Sequence, residues 1–157
     1  RQKFISNWQA NLSDIINNPK LRLYTLIKQD FQLEPYLTSV KDFRYINAIA
    51  KLRASSHNLE IERGRHTIPK TPEHQRVCNY CGDIEDEIHF VCVCPLYCQE
   101  RQILFGIINN IFPQFEGLHV QEKFVFMFTS KDSCVLTLIG KFIYRSLSQR
   151  AAQNPRV

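Results

Sequence analysis

Four side chains in the middle of the chain have the types and spacing to do metal chemistry. Cys78, Cys81, His89 and Cys94 stand as C-x2-C-x7-H-x4-C. Two thiolates two residues apart can point from a tight turn at one ion, and a His and a third Cys can close over it from a short helix. Sulfur and nitrogen donors in that number suit a tetrahedral zinc ion. Gly82, directly after Cys81, suits the backbone reversal of such a turn. Cys94 is favoured as the fourth ligand because it stands just before Pro95, where a helix end can turn its side chain inward. Cys92 (H-x2-C) and Cys98 (H-x8-C) compete for the position. On a helix Cys92 lies about 300° round from His89, close to the same face. Cys134 reads as a buried apolar residue.

A catalytic zinc keeps three protein ligands and an open water position. Here four good donors are at hand, which argues for a closed, structural ion. The deaminase signature H-x-E is absent, since Phe90 and Val91 follow His89. There is no G-x-S-x-G and no P-loop, and no carboxylate pair stands apart from ordinary surface acids. The chain is therefore expected to be no enzyme and to take no small-molecule substrate.

The elements that must hold this cluster read as helices. The 157 residues suit one compact domain. It divides into an N-terminal helical part with a basic loop (1–75), the knuckle (76–98) and C-terminal helices (99–157). Helical spacing of apolar residues predicts helices over 3–17, 21–31 and 37–55, the last with Val40, Phe43, Ile46, Ile49, Ala50 and Leu52 inward. Alternation over 59–63 predicts a short strand. An extended loop over 67–74 leads into the knuckle, where Val77 and Tyr80 are expected to pack under the metal turn. Asp86 can cap a short helix bearing His89. Helices are then predicted over 96–112, 120–129 and 132–149, with Asp132 or Ser133 capping the last and a frayed tail after it. The fold class is mainly α, with a CCHC knuckle and at most a small β-hairpin.

No stretch approaches the roughly 18 apolar residues that span a membrane. The chain opens on Arg1 rather than Met, as expected of a piece of a longer protein. Six cysteines at metal-ligand rather than disulfide spacing point to a reducing, intracellular compartment, nuclear or cytoplasmic. The net charge of +5 is modest, but its placement is uneven. Lys51, Arg53, His57, Arg63, Arg65, Lys70 and Arg76 precede the knuckle and form a candidate phosphate-contacting run. Four of them have a plainer reading: Lys51 and Arg53 favour a helix C-terminus, and Arg63 and Arg65 can pair with the acidic loop from Asp83 to Glu87.

The run from Lys51 through His57 to Arg65, then Arg76-Val77-Cys78-x2-Cys81 and Glu85-Asp86-Glu87-Ile88-His89-Phe90-x3-Cys94-Pro95, resembles the zinc-binding domain that follows the reverse transcriptase in LINE-type (non-LTR) retrotransposon proteins of invertebrates. The likeness covers roughly residues 21–105; beyond that only the helical pattern is shared. It implies Cys78, Cys81, His89 and Cys94 as zinc ligands. It also implies a role beside a polymerase domain in gripping RNA or DNA during target-primed reverse transcription. The polymerase's own Tyr-x-Asp-Asp motif is not in this chain. A second reading is a protein-interaction module whose zinc only completes a small fold and whose partner docks on an apolar patch, with 124–128 as its place.

Overall fold

The helix that organises the domain is the last. Val135, Leu136, Ile139, Phe142 and Ile143 recur at helical spacing and are all buried. Asp132 Oδ1 accepts from the Val135 N–H at 2.9 Å and so caps the first turn. In this computed structural model, which describes residues 6–7, 18–28 and 30–153, the helix runs Ser133–Gln153. That is four residues beyond the predicted end, into what the sequence suggested was a frayed tail. In chain order the helices are α1 (Arg22–Ile27, after a 3-10 turn at Pro19–Leu21), α2 (Tyr36–Ser39), α3 (Phe43–Arg53), α4 (Glu60–Arg63), α5 (Cys98–Ile111), α6 (Val120–Thr129) and α7 (Ser133–Gln153). The predicted helix over 3–17 lies outside the described residues, except that residues 6 and 7 are helical.

Helix α3 is the principal partner of α7, and α2 and α5 also pack on it. Gly140 sets how closely α3 approaches. A Cβ there would sit 2.6 Å from Tyr45 Cβ and 3.2 Å from Ile49 Cδ1, so only a residue without one permits the crossing. Helix α6 settles the 120–129 segment as helix. Phe124, Met127 and Phe128 lie in the core, with the Phe124 and Phe128 rings stacked at 4.3 Å. The patch suggested at 124–128 is therefore interior. Phe90 and Tyr97 meet edge to face at 5.0 Å and both pack on Phe142, which joins the knuckle to α7.

Three expectations are corrected. The single helix over 37–55 is two, because Val40 is extended and the Asp42 carboxylate restarts the helix by accepting from the Arg44 N–H at 2.9 Å. The restart rotates Phe43 out of the predicted core stripe, and its ring is 76% exposed. Residues 59–63 are not a strand. Five alternating residues are too few to separate a period of two from one of 3.6, and here α4 buries Leu59, Ile61 and Glu62 together. Cys134 is exposed rather than buried. The small hairpin survives as one antiparallel bridge, Val77 to Ile84, around the Cys78–Cys81 turn. Among the described residues no helix is long and apolar enough to cross a membrane.

Candidate metal centre

The turn forms because Gly82 adopts φ +84°, a left-handed conformation costly for other residues. Its N–H donates to the Cys78 carbonyl at 2.9 Å, and the Cys78 N–H donates to the Asp83 carbonyl at 2.7 Å. Cys78 and Cys81 thus project from one loop. The facing segment begins at Asp86, whose Oδ1 accepts from the His89 N–H at 2.7 Å, the cap the sequence suggested. The chain then makes a π-helical turn, His89–Val93, closed by Cys94 N–H to the His89 carbonyl at 2.7 Å. Such wide turns recur at functional sites.

The π turn decides which cysteine completes the cluster. Carrying five residues round before the bond closes returns Cys94 to the side of His89. Cys92 turns into the core instead, and Cys98 lies on the surface. The ligand atoms of Cys78, Cys81, His89 and Cys94 all lie within 4.8 Å of one another. Cys78 Sγ is 3.8 Å from Cys94 Sγ, and Cys81 Sγ is 3.4 Å from His89 Nε2. The cluster can hold a metal ion.

Burial pushes the Cys94 thiol up to about 12, with Cys78 beside it adding to the rise. Burial also raises Cys81 and holds His89 below its ordinary value. The apoprotein therefore keeps these thiols protonated, and a cation entering the site must displace protons. Cys92 is pushed to about 12 by its burial, as an inert core thiol is. Three thiolates around a divalent ion leave one net negative charge. Arg101 of α5, itself buried, lies against the same segment and donates to the carbonyls of Val93 at 3.1 Å and Cys94 at 2.6 Å.

The acidic loop is the hinge pin of the domain rather than a solvated face. Glu85 and Glu87 are buried while Asp83 is exposed. Arg150 of α7 forks onto Glu85, Nε to Oε1 at 2.8 Å and Nη2 to Oε2 at 2.6 Å, and the Glu60 N–H of α4 also donates to Oε2 at 2.7 Å. Glu87 accepts from Arg22 of α1 at 2.5 Å and from Ser55 Oγ at 3.2 Å, and His57 Nε2 lies 3.0 Å from it. Burial alone would raise the Glu87 carboxyl. The bonds to His57 and Arg22 outweigh it and hold the group at about 2. Nothing local in the sequence marks Arg22 or Arg150 as partners of this loop, which lies 65 residues from each.

The suggested phosphate-contacting run divides. Lys51, Arg63 and Lys70 are exposed, with Arg63 held by Glu60 at 2.7 Å. Arg53 is buried. It donates to Glu34 at 2.5 Å and to the Phe128 carbonyl at 2.7 Å, while the His57 ring is enclosed against Glu87. Arg65 pairs with Glu62 at 3.0 Å, not with the acidic loop. Arg76 lies along Gly64 and donates to the carbonyls of Thr71 at 2.9 Å and Ile61 at 3.0 Å. Arg53, His57 and Arg76 thus hold structure together. Tyr80, expected beneath the turn, points to solvent at 62% exposure. No protein-family model, no curated protein and no solved structure matches this chain.

Proposed function

We propose that Cys78, Cys81, His89 and Cys94 hold a structural zinc ion, and that the helical domain it fastens binds RNA or DNA without catalysis as part of a retrotransposon-type reverse transcriptase protein. The donor spacing carries the zinc assignment. Tetrahedral zinc with bonds of about 2.3 Å to sulfur and about 2.05 Å to nitrogen has edges of ~3.8 Å between sulfurs and ~3.6 Å between sulfur and nitrogen. The cluster's 3.8 Å and 3.4 Å separations lie close to those values. With four donors the ion has no place for a reactive water, so its work is to fold the knuckle.

Nucleic-acid binding rests on the likeness of residues 51–65 and 76–95 to the retroelement zinc domain and on the exposed cations Lys51, Arg63 and Lys70. The test is binding of labelled RNA and DNA across a salt series. Several phosphate contacts give a steep fall in affinity with salt, and no binding at low salt rejects the reading.

The second reading, a protein-docking module, is favoured by one observation. Ile103, Ile107 and Ile111 form an exposed apolar stripe on α5 at helical spacing. A clean monomer in light scattering, with unchanged solubility on Ile103→Lys, counts against it.

A further inference from the structure

We propose that the open groove between α3 and α7 is a binding site for a single-stranded nucleic-acid segment, a proposal that rests on the nucleic-acid reading above and assigns it a surface to which the basic run before the knuckle contributes Lys51. The groove encloses about 700 Å3. Its floor is apolar where α3 meets α7, and its rim carries Phe43, Lys51, Asn47 and Asn58. Four features fit a single strand.

First, Phe43 is the most exposed aromatic ring among the described residues, and it stands at the mouth of the groove. An aromatic face held out on a rigid helix costs solvation, and a base has the flat partner that recovers it. Second, the groove wall is cationic and aromatic together. Arg44 is held by Asp42 at 2.7 Å, with its guanidinium over the rings of Tyr45 at 5.8 Å and Tyr144 at 5.6 Å.

Third, among the described residues no carboxylate lines the groove; the Asp42 that fixes Arg44 lies outside it. Lys51 is exposed, and Asn47 and Asn58 offer hydrogen bonds suited to phosphate or sugar oxygens. Fourth, the groove continues past Ser56 and Asn58 into a second hollow lined by Lys20, Arg63 and His66 together with Glu62, which Arg65 pairs at 3.0 Å. Phe43, Asn47 and Lys51 fall on one line of α3, about 12 Å end to end. That is the length of roughly three to four stacked nucleotides at ~3.4 Å each. A base stacked on Phe43 leaves the following phosphates beside Asn47 and Lys51.

The test uses the full chain, zinc-loaded, with fluorescent twelve-nucleotide oligo(U) and oligo(dT) and a duplex of equal length, read by anisotropy. Phe43→Ala is expected to weaken single-strand binding on the order of 10-fold. Lys51→Ala is expected to lower the slope of log affinity against log salt by about 0.7. Lys131→Ala, the same charge removed outside the groove, is expected to leave both unchanged. All three side chains are exposed, so metal content and circular dichroism should stay constant. Single strands that bind with full affinity to both groove variants overturn this site but leave the nucleic-acid reading standing. A duplex that binds as well as the single strands and is equally weakened by Phe43→Ala overturns the stacking role. An oligonucleotide that does not bind even at low salt sinks both. Oligo(U) against oligo(dT) then separates RNA from DNA.

Discussion

Removing the Arg150 guanidinium should do far more damage than its place near the end of the described chain suggests. Its side chain and that of Glu85 are each 5% exposed, and the two share a bidentate pair that Glu60 extends at 3.2 Å. Arg150→Met keeps much of the apolar stem and deletes the fork. Glu85 would then be a buried carboxylate with only the Glu60 N–H left beside it. Breaking a buried pair by removing one partner costs about 3–5 kcal/mol. The expected loss is therefore about 3–5 kcal/mol at pH 7. Urea denaturation followed by circular dichroism, with zinc in excess, reads this as a midpoint lowered by about 1–2 M. Arg150→Met with Glu85→Gln should recover a large part of the loss, since no charge is then stranded. A single variant costing under about 1 kcal/mol, or a double variant no better than the single, would refute the claim that α7 is pinned to the knuckle through this pair.

Metal analysis should separate the cysteines: Cys81→Ser and Cys94→Ser lose bound zinc, whereas Cys92→Ser and Cys134→Ser retain it, and equal loss in all four would void the ligand set. Gly140→Ala should cost about 1–3 kcal/mol by forcing α7 away from Tyr45 and Ile49 of α3, and unchanged thermal stability would show that the crossing relaxes freely. Glu87, held at about 2 against an ordinary 4.5, contributes stability that is complete above about pH 4.5 and is lost as the pH falls towards 2. Glu87→Gln should accordingly be destabilised by about 3 kcal/mol at pH 7, with its gap to the parent chain narrowing below pH 4.5; a constant gap across that range, at equal metal content in the two chains, would exclude the charge as the cause.

Much of the helical body is legible from periodicity alone. Leu23 and Ile27, the stripe from Val135 to Ile143, and the cap at Asp132 all follow from interactions within a few residues. Where the reading failed, the deciding interaction was weak or distant. Asp42 competes with a continuous helix through a single cap bond, and a strong apolar stripe hides it. Residues 59–63 read as a strand but fold as a helix because their neighbours, not their own pattern, bury Glu62. His57 and Arg53 looked like solvent-facing cations because their acids, Glu87 and Glu34, lie 30 and 19 residues away.

The donor types, their spacing and the helical stripes belong to the linear chain, since each is set by covalent order and by contacts along a turn or two of backbone. It took the folded chain to turn Cys94 rather than Cys92 towards the cluster. Folding alone buried the acids of the knuckle loop against Arg22 and Arg150, and swung Phe43 outward over a groove. Those outcomes depend on which distant segments come to lie together. A buried charge needs its counter-charge wherever the fold delivers it, and no local pattern encodes that address.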